Sequence, residues 1–241
     1  MTTSEVINAA SLTSSALLHH AAYAVGVSGI IREMIFNGQL TAGQRIPQDE
    51  IAAELGVSRL PVREAISTLQ LDGLVVVEKY RGAFVLPISH MDIEDHYEVF
   101  GHTHGIAAAR AAKKITASDL DELRGLNEQL SMADDLTLQH KLNWEFHRNI
   151  NVIGGSRRLQ SVIGGLARQI PRSFTASFPP ASPRALIEHK TILGALEAGD
   201  GEAAAVACIA HLRSEAKYII DMLEGRGLLG APEPEPETVL P

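Results

Sequence analysis

The 241 residues carry a formal net charge of −8, a hydrophobic content of 45% and one cysteine, Cys208. That length suffices for two domains, each with its own core. The single cysteine excludes a disulfide framework and fits a reducing cytoplasm, with Cys208 expected as a buried small side chain in its Ala-rich setting. No apolar run approaches the roughly 18 residues needed to span a membrane, and no positive segment followed by an apolar core marks a secretion signal.

Residues 1–21 are Ser/Thr/Ala-rich with weak periodicity and are expected to form a flexible tail. Residues 22–88 read as one unit. A helix is expected from Val25 to Asn37, with Val27, Ile30, Ile31, Met34 and Ile35 as its apolar face and Gly38 closing it. Pro47 stands where a first helical residue belongs. The stretch from Asp49 to Ala65 then reads as a short helix, a glycine turn and a second helix that opens with two arginines four residues apart. Gly56 suits the left-handed end of the first helix, Ser58 the cap of the next, and Pro61 its first turn. Val62, Ala65, Ile66 and Leu69 form an inward face, which leaves Arg59, Arg63, Ser67 and Gln70 outward. This is the layout of a helix-turn-helix, whose second helix is inserted into the DNA major groove.

Two β-rich runs follow, Leu74–Glu78 and Ala83–Leu86, around Lys79-Tyr80-Arg81-Gly82. They predict a hairpin with a basic tip, and so a winged helix-turn-helix. A tip of Arg81-Gly82 suits a neighbouring groove, because glycine lets the backbone approach closely. Between Ala24 and Leu86 stand six basic residues and seven acids. The unit is therefore no generic polycation, and DNA affinity must come from a few placed arginines.

After residue 88 the composition changes. Residues 89–226 carry helical patterns over 91–114, 118–133, 135–152, 156–175, 183–199 and 201–224, which predict an antiparallel all-α bundle of about six helices. The chain as a whole is expected to be mainly α. Residues 227–241 include Ala231-Pro232-Glu233-Pro234-Glu235-Pro236-Glu237 and are expected to form a disordered acidic tail.

One constellation in the bundle carries chemistry. Asn143 and His147 are four apart, on a face marked as apolar by Leu142, Phe146 and Ile150. His189 and His211 fall on the fifth and sixth bundle helices. A bundle can gather such side chains in its core, and three imidazoles with one amide oxygen suit zinc, nickel or another borderline divalent ion. The plainer reading gives each histidine a local hydrogen bond of its own. Under that reading fall His19, His20, His90, His96 and His140, while His102 and His104 are left open.

Taken together, the two halves resemble a known family. Residues 24–86 resemble the winged helix of GntR-type bacterial transcription regulators, through Leu55-Gly56-Val57-Ser58-Arg59-x-Pro61-Val62-Arg63-Glu64-Ala65 and the wing Gly82-x-Phe84-Val85. With an all-helical domain behind it, the chain is similar to the FadR subgroup, whose C-terminal domain is called FCD. The resemblance implies base and phosphate contacts for Arg59 and Arg63, a basic contact at Arg45 and a minor-groove approach at Gly82. Leu60 departs from a frequent threonine; it can touch a thymine methyl but cannot hydrogen-bond. The resemblance also makes Asn143, His147, His189 and His211 a metal quartet for zinc or nickel, with Asn143 in place of the commoner aspartate.

In the same likeness, Phe100 occupies a place where members that bind organic acids carry an arginine, and His104 one where glutamate is frequent. Arg168 and Arg172 are the remaining candidates for effector contact. The family implies a homodimeric, cytoplasmic repressor that reads a palindromic double-stranded operator and responds to a small molecule, such as a carboxylate, without any membrane partner. Phe100 argues for an effector less anionic or more apolar than sugar and dicarboxylic acids. Two other readings stand beside this one. One is a constitutive dimeric DNA-binding protein with structural histidines. The other is a metal-dependent hydrolase with Glu188 as base, against which stands the absence of any HExxH or nucleophile-elbow motif.

Overall fold

A computed structural model describes residues 25–171, 174 and 183–230. The chain divides into two compact units between Ile88 and Ser89.

In the first unit α1 covers residues 25–36, α2 Gln48–Glu54 and α3 Arg59–Leu71. They are followed by the antiparallel strands β1 (Val75–Glu78) and β2 (Gly82–Val85), paired from Val75↔Val85 to Glu78↔Gly82. Gly56 has φ 63°, the left-handed turn that a Cβ disfavours. Ser58 takes the extended N-cap position of α3, but its side chain makes no capping bond, contrary to expectation. Val62, Ala65, Ile66 and Leu69 are buried, as are Ile31, Ile35, Ile46 and Ile51. Arg32 of α1 is buried and ion-paired with Asp72 at the end of α3. Burial makes that pair costly to break from one side.

The second unit is helical throughout its described residues: α4 (His90–Ala111), α5 (Ala117–Met132), α6 (Leu136–Gly154), α7 (Arg157–Leu166), α8 (Pro183–Glu197) and α9 (Gly201–Gly225). Their starts follow from local chemistry. Ser89 with Asp92 and Thr116 with Asp119 form capping boxes, while Asp135, Ser156 and Asp200 each accept a bond from the third residue onward. Such caps contribute about 1 kcal/mol each. The helix expected over 156–175 ends at Leu166. Gly164 and Gly165 weaken its last turn, and Pro171 has no N–H to continue it.

Helices α4 and α9 run antiparallel. His90 meets Glu224, Glu98 meets Arg213, and Gly105 lies against Ala205 and Ile209. Helix α6 runs parallel to α4, so that Asn151 meets His104 and Gly154 meets Ala107. A Cβ at Gly154 would collide with the Ala107 carbonyl, so this crossing admits only glycine. Leu123 and Leu130 of α5, Phe146 and Ile150 of α6, Ile192 and Leu196 of α8, and Cys208 form one buried cluster. Burial raises the Cys208 thiol to about 12, which makes it an inert core group.

Candidate nucleic-acid interface and metal centre

The outward face of α3 carries Arg59, Leu60, Arg63, Ser67 and Gln70, all exposed, while the opposite face is the core of the first unit. Arg59 forms a two-point pair with Asp49 of α2, at 2.7 and 2.9 Å, with both side chains solvated. An exposed pair of this kind contributes little, so the guanidinium is positioned yet easily exchanged to another acceptor. At the hairpin, Arg45 donates from Nε to the Arg81 carbonyl at 2.9 Å and lies over Gly82, where a Cβ would be 2.9 Å from that nitrogen. Gly82 has φ 111°, closed to side-chain-bearing residues. Arg81 pairs with Glu78 and stands over the Phe84 ring. Arg45, Arg81 and Gly82 thus share the wing, and Arg59, Leu60 and Arg63 share the helix.

In the second unit, α6, α8 and α9 bring His147, His189 and His211 to one point. His147 Nε2 lies 3.1 Å from His211 Nε2 and 3.2 Å from His189 Nε2. Nitrogens sharing a tetrahedral zinc at about 2.0–2.1 Å stand roughly 3.3 Å apart. The outer nitrogens are held by partners that were not apparent in the sequence. His189 Nδ1 lies 3.0 Å from Asn127 Oδ1 of α5, and His211 Nδ1 lies 2.9 Å from Glu188. An acceptor at Nδ1 keeps the proton there and turns the Nε2 lone pair to the shared point. Phe146 stacks on His189 with centroids 4.2 Å apart, which fixes that ring further.

Asn143 lies one turn before His147. Its Oδ1 is buried and has no hydrogen-bond partner. An orphaned acceptor of this kind costs energy unless a ligand completes it. Three imidazole nitrogens and one amide oxygen are a donor set that fits a borderline divalent ion.

The electrostatics agree with the geometry at two of the three rings. Burial pushes His147 well below the usual range and His189 down to about 3. Burial opposes charge on His211 as well, but hydrogen bonds to Glu188 and Glu215 outweigh it and raise His211 to about 9. Burial would raise Glu188; its bonds with His211, Ser214 and Arg184 hold it at about 2 instead. The shared point therefore has two neutral rings and one that carries a proton between two acids.

A cavity of about 750 Å³ opens beside these rings, walled by α4, α6, α8 and α9. Phe100, His104, Asn143, His147 and His211 line it. His104 is 6% exposed, its ring 4.4 Å from Phe100, and its Nε2 has no partner. His189 lies behind the wall. Arg168 is exposed and does not line the cavity, whereas Arg172 lies outside the described residues. His96 and His140, read from sequence as ordinary helical histidines, also line it, together with Tyr97, Trp144 and Glu215. The spacing of His211 and Glu215 by one turn was the only sequence signal for the latter.

Residues 24–85 match the profile described as "Bacterial regulatory proteins, gntR family", and residues 104–214 match the FCD domain. A Mycobacterium tuberculosis protein called "Uncharacterized HTH-type transcriptional regulator Rv0043c" is 32% identical over 203 residues, which cover 84% of this chain and 83% of that one. The Escherichia coli "HTH-type transcriptional repressor RspR" is 28% identical, over 76% of this chain and 83% of its own. Among solved structures, E. coli McbR/YncC superposes with a TM-score of 0.58 at 22% identity, covering 83% of this chain and 98% of the other, a likeness of fold.

Proposed function

The chain belongs to the GntR family of bacterial transcription regulators, with an FCD domain as its C-terminal unit, and on that premise we propose that it is a ligand-responsive repressor. Its winged helix binds DNA, as the family implies. In this reading two copies form a homodimer, and Arg59 and Arg63 of each α3 read one half-site of a palindrome, since arginine can bond guanine O6 and N7 together. Leu60 supplies an apolar contact. Arg45 and Arg81 hold the wing against the backbone, and Ser58, free of a capping bond, adds a phosphate contact at the start of α3. RspR is named a repressor, which favours that direction of regulation.

The observation that carries the ligand response is the convergence of three Nε2 atoms at one point, two of them on His147 and His211, which line a cavity. We assign Asn143, His147, His189 and His211 as holders of one zinc or nickel ion. Such an ion supplies a Lewis-acid anchor for a small organic acid. Phe100 and His104 of α4 form the opposite wall. Helix α4 begins at His90, directly after the winged unit in sequence, so a ligand that presses on Phe100 and His104 acts on the element joined to the reading head. A ligand alters operator affinity only by its difference in affinity for two arrangements.

The test is operator binding by fluorescence anisotropy, on a site selected from random DNA, with and without carboxylates. The reading predicts that ligand weakens binding, that His147→Ala removes this response, and that Arg63→Ala weakens DNA binding itself. An operator affinity that no ligand changes, in protein that carries its metal, would overturn the switch and leave a constitutive DNA-binding protein.

A further inference from the structure

We infer that Asp49 of α2 is a positioning residue for base reading: it holds one edge of the Arg59 guanidinium and leaves the other edge to read guanine. This rests on the DNA-reading assignment of α3 above and adds to it a residue of the neighbouring helix. The first observation is the form of the pair. Arg59 Nε lies 2.7 Å from Asp49 Oδ1, and Arg59 Nη2 donates to Asp49 Oδ2 at 2.9 Å. A guanidinium has two edges that each present a parallel pair of N–H groups, and Asp49 takes the Nε–Nη2 edge. The Nη1–Nη2 edge keeps one N–H on each nitrogen, the pattern that meets guanine O6 and N7 together.

The second observation is where the pair is anchored. Arg59 is the first residue of α3, and the N-terminal residues of a recognition helix are those that meet base edges. Asp49 stands in the first turn of α2, where the helix dipole favours a carboxylate, and Ile51 and Ala52 of that helix are buried. The turn between the helices is fixed too, with Val57 N bonded to the Ala52 carbonyl at 3.0 Å and Gly56 in its left-handed conformation. The guanidinium is thus held from two helices at once. Arg63, one turn further along α3, makes no ion pair among the described residues. The two arginines therefore differ: Arg63 is ordered only on binding, and Arg59 is ordered beforehand. On the duplex, exclusion of water strengthens the pair, so Arg59 takes a base without giving up Asp49.

Full-length protein is titrated by competition anisotropy against the operator selected from random DNA, a set with one base pair changed in each, and unrelated duplex DNA. Arg59→Ala identifies the G·C pair whose replacement it no longer senses. At that pair Asp49→Asn, which keeps the shape but one acceptor oxygen only, is expected to lose about two- to tenfold of the wild-type discrimination, the worth of immobilising one long side chain. Discrimination at the other pairs and the thermal midpoint stay as in wild type. Unrelated DNA is bound as tightly or tighter, because an acid beside the phosphates has been removed. In the Arg59→Ala background, Asp49→Asn changes discrimination at no pair. Full discrimination in Asp49→Asn overturns the inference, and if every duplex is then bound more tightly, Asp49 is a competitor that DNA displaces. The same loss in the Arg59→Ala background overturns it too, as does an Arg59→Ala variant that senses every pair as wild type does. A wild type that prefers no sequence overturns the DNA-reading assignment as well, and shows it before any variant is made.

Discussion

Asn127→Leu isolates the role of the groups behind the metal point. Asn127 is 6% exposed and His189 fully buried, and the 3.0 Å contact from His189 Nδ1 to Asn127 Oδ1 is what sets the tautomer. Leucine keeps the volume and removes the acceptor. The buried N–H is then unmatched, which costs about 1–3 kcal/mol, and the ring is free to turn its proton toward the shared point. Removal of such an outer partner lowers metal affinity ~10–100-fold, or about 1.4–2.7 kcal/mol. The first cost falls on folding with or without metal and the second on zinc affinity, so the two are read separately. The assay is zinc competition against a chromophoric chelator, beside thermal unfolding of the metal-free protein. Asn127→Asp, which keeps an acceptor, is expected to retain zinc. If Asn127→Leu binds zinc as tightly as wild type, the argument that Asn127 presents His189 Nε2 is refuted.

Three further outcomes follow from the same structure. Gly154→Ala places a Cβ against the Ala107 carbonyl and 2.8 Å from Ala111 N, so α6 must retreat from α4; a loss of about 3 kcal/mol in chemical unfolding is expected, and an unchanged midpoint contradicts it. His104 is held at about 4, below its usual 6.5, chiefly by burial. The unfolded chain therefore takes up the proton first, so stability that is complete above pH 6.5 is lost as pH falls toward 4, by at most about 3 kcal/mol. Metal-free His104→Phe should show a flatter decline in urea unfolding between pH 7.5 and 4.5, and parallel curves refute the assignment. Arg63→Ala should weaken operator binding by about 1–3 kcal/mol in anisotropy titrations without altering thermal unfolding, and full affinity in that variant contradicts the placement of α3.

Much of the fold was legible because it rests on short-range chemistry. The 3.6-residue spacing of Val62, Ala65, Ile66 and Leu69 identified the buried face of α3, and the turn residues located the hairpin. The four-residue step from Asn143 to His147 placed both on one turn. What brings His189 and His211 to that turn is packing between α6, α8 and α9, and for that the family likeness was needed. Asn127 was not visible, because an asparagine on an amphipathic helix gives no sign that a ring 62 residues away will bond to it. His96 and His140 give no sign either: which wall they join depends on how α4 and α6 are turned. Gly164, Gly165 and Pro171 mark the end of α7 at Leu166, within the helical pattern that runs over 156–175.

Asn143, His147, His189 and His211 together are assigned to one metal ion. Elemental analysis of protein purified without a metal-affinity column tests that assignment most directly, beside His147→Ala. The account predicts about one zinc or nickel per chain in the wild type and almost none in the variant. Metal-free wild type that stays folded and cannot be reloaded with either ion would contradict it.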